Sequence, residues 1–141
     1  MTVQAILLPL FVEVLLTFGV MFGMMYFRTS TLRRGETRLA DISLREPNWP
    51  KRATQFGYAF ANQFELPVLF YVLTILVIIT RHADLLFVLL AWIFVLMRVL
   101  QAVVHVTNNN VRMRGAYYGV GALILFIMWI IYIVRIILAL P

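Results

Sequence analysis

The chain has 141 residues, of which 63% are hydrophobic and 13% charged, with a net charge of +6 and no cysteine. This composition excludes a soluble globular domain, and the lack of cysteine excludes disulfides, thiolate metal sites and a cysteine nucleophile. The positive charge does not indicate a nucleic-acid partner, because seven of the twelve basic residues lie in one segment between apolar runs. We therefore expect an integral membrane protein that binds no nucleic acid.

Four apolar segments follow one another, each near the ~20 residues that a helix needs to cross the hydrocarbon core. They predict spanning helices at about 3–27, 57–80, 85–107 and 116–138. None shows the period-two alternation of a membrane barrel, so the expected fold is an all-α, up-down, four-helix transmembrane bundle forming one domain over residues 1–141. The first segment lacks a basic start and is too long for the apolar region of a secretory signal, so we expect it to remain as the first helix.

The connections between these segments predict the orientation of the chain. A long basic loop covers residues 28–52, a tight turn covers 81–84, and Asn108–Gly115 joins the third and fourth segments. The first and third connections hold nine basic residues, whereas the second holds Arg81 alone. Because basic loops stay in the cytoplasm, we predict that the first and third loops are cytoplasmic and that both termini lie on the far side.

The second apolar run begins with polar groups that lipid normally excludes. Tyr58, Asn62 and Glu65 are spaced by four and three residues and so share one helical face, and Pro67 follows them. An ionisable group at membrane depth costs at least ~2.5–3.5 kcal/mol, so it usually faces protein or a wet cavity. We therefore expect this face to meet polar groups from another helix.

The third run carries a matching polar stripe. Arg98, Gln101 and His105 are spaced by three and four residues. At 1.5 Å per residue, Glu65 and Arg98 both lie about 12–14 Å from the cytoplasmic ends of their helices. Since a buried charge without a partner is costly, we predict a Glu65–Arg98 ion pair, formed within one chain or between subunits.

Several polar groups converge on the predicted cytoplasmic half, and two interpretations of them remain open. They would either line a basic cavity for an anionic ligand with carboxylates or only hold the helices together. A metal site is not expected, because His105 has no second histidine or cysteine near it in sequence. Glu13, in the first run, would serve as an inter-helix hydrogen-bonding group or a protonated carboxyl. The candidate ligand residues are Tyr58, Asn62, Glu65, Arg98, Gln101, His105, Arg112 and Arg114.

Two local patterns add to this order of helices and long basic loop. One is Asn62-x-x-Glu65 followed by Pro67; the other is Arg98, a ring residue seven positions later, and arginines shortly before a tyrosine at the start of the fourth helix. In these features the chain resembles the MAPEG family, the membrane proteins of eicosanoid and glutathione metabolism, and its bacterial members most. The resemblance implies an integral protein of a bacterial inner membrane.

The resemblance also implies a homotrimer that binds glutathione between subunits near the cytoplasmic face. Asn62 and Glu65 would lie in or beside the glutathione site, and an arginine near the start of the fourth helix would be the catalytic group that stabilises the thiolate. Both family spacings occur here, since Arg112 precedes Tyr117 by five residues and Arg114 precedes Tyr118 by four. The implied activity is that of a membrane glutathione transferase or peroxidase acting on lipophilic electrophiles that arrive from the lipid.

Three positions depart from the family pattern and favour a second hypothesis. Glutathione-using members usually carry arginine where this chain has Tyr58, commonly tyrosine where it has His105, and often tyrosine where it has Leu66. The alternative is a non-enzymatic membrane scaffold or accessory subunit of the same fold. A transporter or channel is disfavoured, because residues 85–97 contain no polar side chain to line a path.

Overall fold

The computed structural model describes all 141 residues, which form an all-α bundle of four membrane spans. The first, third and fourth spans are single helices, and the second consists of two. This confirms the predicted all-α, four-helix membrane fold. The helices are α1 (Val3–Arg33), α2 (Lys51–Asn62), α3 (Leu66–Ile79), α4 (Leu85–Val106) and α5 (Val111–Ile137).

Two helices extend beyond the segments that hydropathy predicts. α1 continues past residue 27 to Arg33, and Gly35, with a φ of +76°, ends it in the left-handed conformation that glycine tolerates. α5 starts at Val111 instead of residue 116, because the Asn110 side chain caps it by accepting from the amides of Arg112 and Met113. Hydropathy detects only the part of a helix that lies inside lipid. The first loop therefore covers residues 34–50 and is shorter than the predicted 28–52.

The second span is broken, where one continuous helix over 57–80 was predicted. α2 ends at Asn62 and α3 starts at Leu66. Pro67 causes the break, since its ring lacks an N–H and clashes with the preceding helical turn, whereas a proline is tolerated in the first turn of α3. The break leaves main-chain groups at membrane depth without helical partners, which is tolerated only where protein or a polar cavity covers them.

We call the end of the bundle with residues 34–50 and 107–110 the loop side, and the opposite end the turn side. On the turn side, Arg135 near the end of α5 forms a 2.8 Å ion pair with Asp84, whose side chain also caps α4 by accepting from the amide of Phe87. The ring of His82 lies 3.0 Å from the carbonyl oxygen of Leu140. These contacts fix the end of α5 to the α3–α4 turn.

The apolar core is divided by a polar layer. A large cluster around Phe70, Leu73 and Phe94 fills the turn side, and a small cluster of Val20, Ala59 and Ala102 lies toward the loop side. Glu13 of α1, Arg98 of α4 and the α2–α3 break all fall between these clusters along the chain. We call this level the polar layer. In it, charged groups from three spans lie at a similar depth.

Gly23 allows α1 and α2 to approach closely, and we expect Gly23→Ala to destabilise the bundle. A Cβ at Gly23 would overlap the ring of Phe56, whereas a Cβ at Gly19 would meet nothing within 4 Å. Phe56 is itself packed on Phe27, with 5.0 Å between ring centres, so its ring cannot move freely. Overpacking of this kind costs ~1–3 kcal/mol.

Thermal unfolding of the purified protein in detergent measures this effect, with Gly19→Ala as the matched control. The control variant should unfold at or slightly above the wild-type temperature, because alanine is the better helix former. Equal unfolding temperatures for the two variants would contradict a close approach at Gly23.

Candidate functional site

Arg98 is the centre of the polar layer. Its side chain is only 1% exposed. Its Nη1 donates a 2.6 Å hydrogen bond to the Gln101 side-chain oxygen, and its Nη2 donates a 3.0 Å hydrogen bond to the main-chain carbonyl of Asn62. The guanidinium also lies 5.9 Å from the centre of the Tyr118 ring, a cation–π distance. Arg98 therefore ties α4 to the end of α2 and to α5.

The carbonyl that binds Arg98 is available because of the helix break. In a continuous helix the Asn62 oxygen would accept from the amide of Leu66, but here it accepts from Glu65 at 3.3 Å and from Arg98. Pro67 thus exposes a main-chain acceptor at the depth of the arginine. The sequence predicts Asn62 as a site residue through its side-chain amide, whereas the observed contact is through its backbone.

Glu65 does not pair with Arg98 within the chain, so the predicted intrachain ion pair is not formed. The ion pairs of the chain are Arg34–Glu36, Arg38–Asp41 and Arg135–Asp84. Glu65 is exposed on the surface of the single chain, and its carboxylate accepts no hydrogen bond there. Equal depth was the basis of the prediction, but two of the Arg98 donor groups are already taken by Gln101 and Asn62.

The α4–α5 turn positions Arg114. Asn109 takes a left-handed φ of 54°, which asparagine tolerates, and its amide closes the end of α4 on the carbonyl of Val104 at 2.8 Å. Its side-chain oxygen then accepts a 2.6 Å hydrogen bond from Arg114 Nη1. His105 is buried near the end of α4, at 4% exposure. Arg114 is half-buried, and its guanidinium is held against the α4–α5 turn by Asn109.

Arg112 has a different environment from Arg114. Its side chain is exposed and donates no hydrogen bond. Its amide is capped by Asn110, which places Arg112 in the first turn of α5, where the helix dipole favours anions. An anion bound beside Arg112 would meet a free guanidinium and the positive end of a long helix.

Tyr58, the remaining candidate, lies apart from these contacts. It is 60% exposed and makes no polar contact in the chain. Two other side chains of α2 reach the end of α4: the exposed Arg52 donates to the carbonyl of Val106 at 2.6 Å, and the buried Gln55 donates to that of Thr107 at 3.3 Å. They satisfy the free carbonyls at the end of α4 and so lock α2 against α4.

Two groups of the layer were not among the predicted site residues. Glu13 is fully buried, and Tyr118 lies under Arg98. The sequence held a signal for Glu13, since it continues the buried stripe of Ile6 and Pro9 at intervals of three and four residues. Tyr118 is marked in the sequence only as the tyrosine four residues after Arg114, and its contact with Arg98 depends on how α5 packs against α4.

An apolar groove starts beside the polar layer. It lies between α3 and α5, has a volume of about 400 Å³ and opens to the surface of the single chain. Leu66 and Leu69 form the end nearest Glu65, and Phe126 and Ile133 carry it toward the turn side. All of its lining residues are hydrophobic, so its chemistry suits an acyl chain, another apolar ligand or the side chains of a neighbouring subunit.

Comparison with known proteins agrees with this arrangement of spans. The model of the MAPEG family matches residues 6–134, which include the polar layer and all of the four spans except the first three residues of α1 and the last three of α5. No curated protein and no solved structure matches the chain.

Proposed function

Since the chain belongs to the MAPEG family, whose members are multi-pass membrane proteins associated with glutathione, we propose that it is a membrane glutathione transferase or peroxidase. In this proposal it activates glutathione as a thiolate for attack on lipophilic electrophiles. The main support for this proposal is the polar layer, where the buried Arg98 and the exposed Glu65 lie beside the α2–α3 break at membrane depth.

The position of Glu65 supports a ligand site between subunits. A carboxylate at this depth is costly when it faces lipid, and this chain offers it no partner. A neighbouring copy and a polar ligand would cover it together. We therefore keep the homotrimer as part of the proposal, with Glu65 and Asn62 on the glutathione side of the subunit boundary.

Thiolate formation needs a cation near the sulfur. A free thiol titrates near ~8.5, and a neighbouring arginine lowers the pKa of a thiol by favouring its charged form. Arg112 suits this role better than Arg114, because its guanidinium is free and lies at the α5 N-terminus, whereas Arg114 is bonded to Asn109. Glutathione supplies the nucleophile itself, so the protein has only to bind, ionise and orient it.

The apolar groove supports a lipophilic second substrate. It begins at Leu66, the residue that follows Glu65, and runs along the spans toward the turn side. An electrophile dissolved in the bilayer would reach the polar layer along this groove without crossing water. The loop side would be cytoplasmic in a bacterial inner membrane, where its basic residues are retained.

The ultraviolet absorbance of the glutathione thiolate tests the proposed function. We expect purified protein in detergent at neutral pH to produce this absorbance on addition of glutathione, and to produce none with S-methylglutathione, which has no ionisable thiol. Glutathione that binds without ionising would contradict thiolate activation, and conjugation of an apolar aryl halide at the uncatalysed rate would contradict transferase activity.

A non-enzymatic scaffold of the same fold is the second candidate. It is favoured by Tyr58 and His105, which replace expected glutathione contacts: Tyr58 contacts no polar group, and His105 is buried at 4% exposure. In that case the polar layer is structural. A folded protein that fails to bind glutathione would support this candidate over the enzyme.

A further inference from the structure

Glu13 is a buried acid that the proposed glutathione site does not use. It is 0% exposed, and neither of its carboxylate oxygens has a hydrogen-bond partner. It occupies a core position of α1, between Pro9 and Val20 in the buried stripe. A buried carboxylate without compensation costs several kcal/mol, so a nearby group has to offset it.

Arg98 is the cation placed to do so. α1 packs directly against α4, and Glu13 and Arg98 are both fully buried at the level between the two apolar clusters, whereas Glu65 is exposed. One N–H group of Arg98 also lacks an acceptor. Both Nη atoms donate hydrogen bonds, whereas the Nε is buried without a partner. No direct ion pair joins the two side chains, so a gap separates the Glu13 oxygens from this N–H group.

A third polar group adjoins the gap. The hydroxyl of Tyr71 on α3, which packs against α1, is close to Thr17, one turn after Glu13. A carboxylate, an N–H donor and a hydroxyl give three partners, which is the usual number for a buried water. Unpartnered polar atoms in a protein interior commonly mark such a water.

We propose that Glu13 is the internal counter-ion of Arg98 and that one buried water, held by the Glu13 carboxylate, the Arg98 Nε–H and the Tyr71 hydroxyl, joins them. The pair neutralises the polar layer from inside the bundle. Glu65 then remains free of Arg98 and faces outward. This proposal needs no bound ligand, so it stands or fails separately from the glutathione chemistry.

A double-mutant cycle on the full-length purified protein tests the counter-ion. Unfolding temperatures in detergent are compared for Glu13→Gln, Arg98→Met and the double variant, with Glu65→Gln and Arg98→Met as the matched control cycle. Glutamine keeps the volume of glutamate, so a loss in Glu13→Gln reports its charge and not its packing. We expect Glu13→Gln to unfold several degrees below wild type and the double variant to lose clearly less than the sum of the single losses.

The control cycle should be additive, with little loss in Glu65→Gln alone. Additive losses for Glu13 and Arg98, or coupling of Arg98 to Glu65 instead, would overturn the proposal. If Arg98→Met does not yield folded protein, the single variants Glu13→Gln and Glu65→Gln decide. A lower unfolding temperature in Glu13→Gln but not in Glu65→Gln supports the counter-ion proposal, and an unfolding temperature of Glu13→Gln equal to wild type overturns it.

Tyr71→Phe tests the bridging water. Removing the hydroxyl takes away one of its three partners, so the unfolding temperature should fall in the wild-type background. The same change should cost little in Glu13→Gln, where the bridge is already weakened. An equal loss in both backgrounds, or no loss in either, would overturn the water bridge.

Discussion

Replacing Arg98 with methionine should be among the most destabilising single substitutions in this chain. The change removes the hydrogen bonds to Gln101 and to the Asn62 carbonyl, and it leaves the Glu13 carboxylate buried without a cation nearby. Breaking a buried charge pair by deleting one partner costs ~3–5 kcal/mol. We expect that loss in the free energy of unfolding measured in mixed detergent micelles.

Two further variants show whether the loss comes from the contacts of Arg98. Arg98→Lys should lie between wild type and Arg98→Met, because an ammonium keeps the charge but lacks the planar fork that reaches two acceptors in fixed directions. Arg112→Met removes an exposed arginine with no partner, so its stability should match wild type. A stability loss in Arg112→Met as large as that in Arg98→Met would contradict the special position of Arg98.

Arg112 and Arg114 should differ sharply in their effect on bound glutathione. Arg112→Ala should lower the ratio of thiolate to thiol at neutral pH roughly tenfold or more, because one unit of thiol pKa corresponds to about 1.4 kcal/mol of interaction with the charged form. Arg114→Ala should retain most of the thiolate, since this arginine is held by Asn109 on the α4–α5 turn. Ultraviolet difference spectra at saturating glutathione measure both variants.

Arg81→Ala, on the turn side, is the control for loss of a basic residue far from the site. It should give the wild-type spectrum. If Arg114→Ala abolishes the thiolate and Arg112→Ala does not, the roles of the two arginines are reversed, and the thiolate lies toward the interior of the bundle beside His105.

The number and position of the spans follow from local sequence, because a helix in lipid needs a long apolar run and little else. The ends of α1 and α5 do not follow from hydropathy. Arg28 and Arg33 are good helix formers in the headgroup region, so α1 ends only near Gly35, and α5 starts where Asn110 can cap it. The break in α2–α3 was detectable at Pro67, although its use as an acceptor for Arg98 depends on the tertiary fold.

The candidate site was only partly predictable for a geometric reason. Residue spacing gives the height of a side chain in the membrane and its direction on its own helix, but not which helix it faces. Glu65 and Arg98 were correctly matched in depth, and the contact of Arg98 with the end of α2 bears this out. Their direct pairing within one chain was wrong, because Glu65 is exposed at the surface of the chain, while Gln101 and the Asn62 carbonyl take two of the Arg98 donor groups.

Calorimetric titration of glutathione into wild-type protein and Glu65→Gln is the most direct test of a glutathione site at the polar layer. Wild type should show saturable binding. Loss of a charge-assisted hydrogen bond worth ~1.5–3 kcal/mol should weaken the Kd about tenfold or more in Glu65→Gln, while Glu36→Gln in the exposed loop should bind like wild type. No binding at millimolar glutathione by folded wild-type protein, or equal affinity in wild type and Glu65→Gln, would contradict a site built around Glu65.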